Sequence, residues 1–234
     1  MLFRSHGWWV IGGTKMSKSL GNVVKPLDLA QVYGVDAFRY FLMRDMTLGR
    51  DSDFTEENLL HRYQSDLAND LGNLLHRIVN MVARYCDGQI PAPGEPTADE
   101  ISMQQRCAKL APEVFSQVKA LALNEALANV MSVVREINRY VEAAAPWSQA
   151  KASKTERVAT ILYSAAEALR LTSVLLQPVM PERVGELWRR LGWQAPARLQ
   201  DGLDWGTLQP GARVTSGPPL FPREVEHSTA SATA

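Results

Sequence analysis

The chain has 234 residues, with 25 Lys+Arg against 25 Asp+Glu and a formal net charge of zero. Its length fits one large domain or two small ones, and 46% hydrophobic residues supply a core, which excludes wholesale disorder. Neutrality argues against a basic nucleic-acid coat or a polybasic membrane anchor for the whole chain, and two cysteines, Cys86 and Cys107, argue against a disulfide framework or a four-ligand zinc site. No stretch of about 18 apolar residues is present, and residues 1–6 lack an apolar leader. A reduced, cytoplasmic protein with no membrane partner is expected. The neutral total conceals a bias. Residues 1–50 carry seven basic groups (Arg4, Lys15, Lys18, Lys25, Arg39, Arg44, Arg50) and three acidic ones (Asp28, Asp36, Asp45).

In chain order, residues 7–12 read as a short strand, because Trp8, Trp9, Val10 and Ile11 suit a half-buried pleated surface. A polar, lysine-rich loop spans residues 12–22. Pro26 opens a helix that Gly34 ends, and Asp36 is placed to N-cap a second helix over 37–44. A break at 47–53 precedes one long helix over 55–85. Thr55 is its N-cap, and Leu60, Tyr63, Leu67, Leu71, Leu74, Ile78, Met81 and Tyr85 form its buried stripe. The prolines and glycines of 88–96 make a loop. Helices follow over 99–123 (interrupted near Pro112), 124–143, 155–177 and 181–191. Residues 192–226 read as an irregular extended tail, and the polar end 227–234 as frayed. The fold class is mainly α: a strand–loop–helix region, then an antiparallel helix bundle. The expected domains are 1–53, 54–191 and a tail 192–234.

The most informative stretch is Lys15-Met16-Ser17-Lys18-Ser19-Leu20-Gly21-Asn22. Two lysines on flexible stems, with Ser17 and Ser19 hydroxyls, can follow a phosphate and stabilise charge growing on a pyrophosphate leaving group. Residues 15–19 spell KMSKS, and with the following Leu20-Gly21-Asn22-Val23-Val24 they resemble the second signature of class I aminoacyl-tRNA synthetases. That resemblance implies ATP binding by Lys15, Ser17, Lys18 and Ser19. It also implies catalytic roles for Lys15 and Lys18, with Lys18 assisting aminoacyl-adenylate formation.

Later segments narrow the resemblance. Gly34-Val35-Asp36-Ala37-Phe38-Arg39-Tyr40-Phe41-Leu42, Asp66-Leu67-Ala68-Asn69-Asp70-Leu71-Gly72-Asn73-Leu74, Ala145-Pro146-Trp147 and Pro219-Leu220-Phe221-Pro222-Arg223 are similar, in order, to stations of methionyl-tRNA synthetases. The likeness covers residues 7–224 and implies a methionine–tRNA ligase activity. Its substrates would be ATP (with magnesium expected), methionine and tRNA(Met), and no metal site is implied in this chain. In that family an Asn and an Arg on one helix, plus a Trp on a later one, read the CAU anticodon; the matching residues are Asn73, Arg77 and Trp147. Spacing agrees with that role. At about 100° per residue, Asn69, Asn73, Arg77, Asn80 and Arg84 share roughly 80° of arc. The apolar stripe centres about 110° away. Asn offers donor and acceptor together, Arg a planar fork, and Trp a stacking face for a splayed base.

The family's HIGH signature is not found: the histidines are His6, His61, His76 and His227, and no two lie three apart. Residues 1–5 do not resemble the family. The chain is therefore expected to be the rear part of a longer enzyme, unable to form methionyl-adenylate alone. The alternative is a stand-alone anticodon-binding module without catalysis, and a second is a purely structural bundle. Trp188, Trp193 and Trp205 are expected to serve packing rather than RNA, and neither His61 nor His76 is assigned catalysis.

Overall fold

The computed structural model describes residues 7–223; the opening residues 1–5 and the polar end 227–234 lie outside the described residues. Strand β1 (Trp9–Ile11) pairs antiparallel with β2 (Thr14–Lys15) across a tight turn at Gly12 and Gly13. On its other side it pairs in parallel with β3 (Ser52–Asp53), so the sheet order is β2-β1-β3. Gly7 permits that second pairing. A Cβ there would stand 2.0 Å from the Arg50 carbonyl oxygen, so only glycine lets the two segments meet.

Helix α1 (Pro26–Tyr33) has its proline in the first turn and ends at Gly34, whose N–H bonds the Ala30 carbonyl at 3.0 Å. Helix α2 (Val35–Asp45) starts earlier than expected, with Asp36 inside its first turn. Asp36 does not cap its own helix. Its carboxylate accepts from the Arg183 N–H at 2.7 Å, capping α9 (Pro181–Leu191) instead. Arg39, one turn further along, donates to the Val179 and Pro178 carbonyls, both at 2.9 Å. One face of α2 thus satisfies the carbonyls that close one helix and an N–H that opens the next.

The expected single helix over 55–85 is continuous but not uniform. Thr55 caps α3 (Glu56–Arg62) as expected, accepting from the Asn58 N–H at 3.1 Å. Residues Tyr63–Gly72 are then π-helical, and α4 (Asn73–Tyr85) resumes α winding. The reason lies in the buried spacing: Tyr63, Leu67, Ala68, Leu71 and Gly72 recur four and five apart, which wider turns bring onto one face. Asp66 is buried in this stretch. It accepts from the Tyr40 hydroxyl at 2.7 Å and lies within 4 Å of the Arg44, Arg62 and Arg135 guanidinium groups. The uniform count of 100° per residue therefore fails for Asn69 but holds from Asn73 onward.

Helices α4, α5 (Ala98–Lys119), α6 (Leu123–Ala144) and α8 (Thr155–Leu176) form the bundle. Ion pairs and hydrogen bonds between helices give their directions. Asp70–Arg135 and Arg77–Glu142 rise together, so α6 runs parallel to α4. Glu100–Tyr140 and Arg106–Asn129 run oppositely, so α5 descends against α6. Arg157 bonds Glu100 near the start of both α5 and α8, so α8 descends too. The result is up-down-up-down. Helix α5 runs through Pro112 without a break: the proline faces solvent while Cys107, Leu110, Ala111 and Val114 stay buried.

Helix α8 is long and apolar enough to cross a membrane by composition, yet 89% of that window is buried inside the bundle, as the core helix. Its Glu167 and Arg170 are fully buried and paired at 2.7 Å. Glu167 also accepts from the N–H groups of Gly206, Thr207 and Leu208, and Arg170 donates to the Gly202 and Asp204 carbonyls. That pair pins residues 202–208. The tail is irregular, as expected, but not loose: Leu208, Leu220 and Phe221 are buried, and residues 211–214 bond backbone to residues 88–90. Trp188 and Trp193 are buried edge to face at 5.0 Å.

Candidate functional site

The lysine loop is built almost entirely from its own residues. The Asn22 side chain accepts from the Ser17 N–H at 2.7 Å and donates to the Lys15 carbonyl at 3.4 Å, closing residues 15–22 into a ring. Inside it, Lys18–Leu20 forms a 3-10 turn ended by Gly21 at φ 68°, where glycine avoids the left-handed penalty. Lys18 and Ser19 are exposed. The Ser17 and Ser19 hydroxyls bond each other at 2.8 Å, so the pair keeps one hydroxyl hydrogen for an outside acceptor. Lys15 lies on β2, and its Nζ stands 3.8 Å over the Trp8 ring. That contact steers the ammonium without neutralising it and is worth about 0.5–1 kcal/mol at an exposed site. The four loop residues named from the sequence thus form one presented set of two cations and a hydroxyl pair. It is a donor set suited to phosphate oxygens.

The second group lies on the bundle. Arg77 on α4 donates to the Glu142 carboxylate on α6 at 2.7 Å. Its guanidinium lies 5.9 Å from the Trp147 ring centre. Trp147 belongs to the short helix α7 (Pro146–Lys151), which the sequence reading did not anticipate. Ala145 directs it there: at φ 45° and ψ 62° it turns the chain in the left-handed region, and Pro146 is buried at the first helical position. Such a conformation in a non-glycine residue needs surrounding packing to hold it. Trp147 is half-buried, with part of its ring open. Asn73 lies one helical turn before Arg77 and, among the described residues, its amide has no protein hydrogen-bond partner. The structure therefore joins Arg77 to Trp147 directly and sets Asn73 alongside.

Three contributors were not foreseen. Glu142 occupies part of the Arg77 fork; an exposed glutamate near the end of a helix carries no sequence signal for this. Trp8 serves as a platform for Lys15, and its place before the loop was the available hint. Glu100 anchors the helices beside the RNA-reading candidates: it accepts from the Thr97 N–H, the Tyr140 hydroxyl and both arms of Arg157. Burial pushes the Glu100 carboxyl up, but the Arg157, Thr97 and Tyr140 bonds outweigh it and hold the group at about 2. Its partner Tyr140 is raised well above the usual phenol range by burial and by that carboxylate.

Helix α6 touches residue 47 near one end and the α4 face near the other. Asn124 on α6 reaches Thr47, just before β3, at 3.4 Å, whereas Glu142 near the other end of α6 holds Arg77. Eighteen residues at 1.5 Å rise place about 27 Å between those two points.

Comparison with known proteins adds to this geometry. Residues 2–79 match the family model described as tRNA synthetases class I (M), so the likeness begins earlier than the expected residue 7, and residues 90–231 match that of the anticodon binding domain of methionyl tRNA ligase. A methionine–tRNA ligase of Deinococcus radiodurans is 44% identical over 212 residues, covering 90% of this chain and 31% of the relative. One from Caldanaerobacter subterraneus is 41% identical, covering 97% of this chain and 36% of the relative. The solved methionyl-tRNA synthetase of Mycobacterium tuberculosis in complex with methionyl-adenylate superposes with a TM-score of 0.88 at 35% identity. It covers 93% of this chain and 43% of that one. The chain spans between 31% and 43% of the length of these relatives.

Proposed function

This chain belongs to the methionyl-tRNA ligase family of class I tRNA synthetases, and from that premise we propose that it is the KMSKS-loop and anticodon-reading portion of a cytoplasmic methionine–tRNA ligase. Its two cysteines are both free thiols, in keeping with a reducing compartment. The complete enzyme would join methionine to ATP with release of pyrophosphate, then transfer the methionyl group to tRNA(Met). Lys15 and Lys18 would hold ATP phosphates and stabilise charge on the departing pyrophosphate, helped by Ser17 and Ser19. Magnesium would arrive with the nucleotide and add its own charge to the same phosphates.

Asn73, Arg77 and Trp147 would choose the tRNA. Trp147 offers a stacking face, Arg77 a donor fork held beside it, and Asn73 an amide with donor and acceptor free. The observation that carries this reading is the placement of the Arg77 guanidinium over the Trp147 ring, with Asn73 one turn away on the same helix. The test is direct binding of RNA to this chain. A CAU anticodon stem-loop is expected to bind more tightly than a stem-loop of the same length with a scrambled loop. Equal affinity for both overturns the reading.

A further inference from the structure

Helix α5 carries, near its end, apolar residues that the bundle does not cover. Val114 is buried, but Phe115 is 46% exposed and Val118 41% exposed. The backbone around them is firmly held. The Leu121 N–H bonds the Val118 carbonyl and the Ala122 N–H bonds the Gln117 carbonyl, both at 2.9 Å. Leu121 makes the turn into α6 at φ 63°, a left-handed conformation that a leucine keeps only where its surroundings fix it. Helices α2, α5, α6 and α8 and the turn of residues 199–203 meet at this end of the bundle. Together they enclose a pocket of about 360 Å³.

The lining decides what such a pocket can hold. Leu127, Val130 and Val174 form a buried floor, and Met43 stands half-buried beside them. Among the described residues, no charged residue lines the pocket, and Gln200 is its one polar residue. Gln200 is exposed, which puts it at the mouth. The carbonyls of the lining residues Pro178 and Val179 are already taken by Arg39. Water needs about 2–4 polar partners to be held in a cavity, so it gains little here.

We infer that this pocket is a binding site for a small, neutral aromatic molecule of about two rings, with at most one polar group turned toward Gln200. Size sets the ring count. A dry apolar cavity of about 150 Å³ holds benzene, and this one is about 360 Å³. Charge is excluded because the lining offers it no partner, and an unpaired charge in apolar surroundings is costly. Rings are favoured over alkyl chains by Phe115, which offers its own ring, and by the Met43 sulfur, which suits a ring edge. A second copy of the chain fits less well. A stable interface covers about 800 Å² of each partner. Among the described residues, the large apolar side chains exposed on this end of α5 are Phe115 and Val118, flanked by Glu113, Ser116, Gln117 and Lys119. Met43 comes from α2, beside the lysine-loop region, and the remaining walls from the bundle and the turn of residues 199–203. An occupant therefore touches both regions and stabilises the folded chain by linkage.

The test uses the chain as it stands, with 2-naphthol as the probe, a phenol that is neutral at neutral pH. Binding is followed through the methionine methyl groups by NMR, the Met43 signal being assigned by its loss in Met43→Leu. Titration is expected to move the Met43 signal saturably, with one naphthol per chain, and to leave Met16, Met81 and Met103 in place. At about tenfold the dissociation constant, the thermal midpoint should rise by about 3–6 °C. Phe115→Ala, at an exposed position, should weaken binding about 5-fold with unchanged circular dichroism. Val118→Trp, which crowds the mouth, should abolish the saturable shift. Charged naphthoate should bind at least about 10-fold more weakly than naphthol, and decanol should also bind more weakly. If the Met43 signal does not move, or if all four methionines move together, naphthol only coats the surface and the inference is overturned. Naphthoate binding as well as naphthol, or decanol binding better, overturns the ligand class. If the Met43 signal shifts with protein concentration alone, a second copy covers the pocket, and the inference is overturned too.

Discussion

The lysine loop and the α4 face both present cationic side chains at the surface, by opposite means. The loop draws its donors from a run of residues 15–19 and closes itself with Asn22, Gly21 and a serine pair. Trp8, from the adjoining strand region, supports Lys15 from outside residues 15–22. The α4 face draws on three helices. Arg77 and its partner Glu142 are 65 residues apart, and Trp147 is placed by a left-handed turn at Ala145. A self-closed loop can be altered without disturbing the bundle. A face assembled across helices stands or falls with the packing that aligns them.

That contrast can be broken at its strongest point in the core. Arg170→Leu leaves the Glu167 charge buried and frees the Gly202 and Asp204 carbonyls, so it should cost about 3–5 kcal/mol of stability. Urea unfolding would read this, and an unchanged midpoint would show that the bundle does not depend on the tether. The loop provides the opposite case. In a chain completed with the remaining length of a relative, Lys18→Ala should slow methionine-dependent ATP–pyrophosphate exchange by about 10²-fold. Its circular dichroism and its affinity for a CAU stem-loop should not move. A loss of RNA affinity there would mean that the two regions are coupled.

Trp147→Ala should weaken a CAU stem-loop by about 1–3 kcal/mol, read by titration, while ATP-related activity of the completed enzyme is spared. The smallest effect is acid sensitivity of the bundle alone. The Glu100 carboxyl is held at about 2 in the folded chain against an ordinary 4.5. A lowered folded value means that its contribution is present above 4.5 and is lost as pH falls from there toward 2. The thermal midpoint should drop across that window, and Glu100→Gln should flatten the drop. A midpoint equally steep in the variant would assign the acid loss to other groups.

Much of the fold was legible in the residues. Pro26, Gly34 and Thr55 marked helix limits correctly because their chemistry acts within a turn of where they stand. The apolar periodicity located the bundle helices for the same reason. Asp36 misled because a carboxylate near a helix start suits any nearby free N–H, and the one it meets lies 147 residues away. Pro112 misled because a proline's cost falls when its turn faces water. The long helix looked uniform because a count at a fixed angle cannot register a π-wound stretch, whose width is set by what packs against Asp66 and Tyr63.

What the sequence determined by itself is chemistry carried by neighbours in the chain: a KMSKS loop, the helix caps and the amide and guanidinium groups of one helix face. These depend on bonds spanning a few residues, so residue order suffices. What only the tertiary structure decided is which distant groups share a place. Arg77 over Trp147, Glu142 across its fork, and the apolar pocket where α2, α5, α6 and α8 meet all arise where separate elements pack. Packing is a property of surfaces meeting in space, and the spacing of residues along the chain does not encode which surfaces meet.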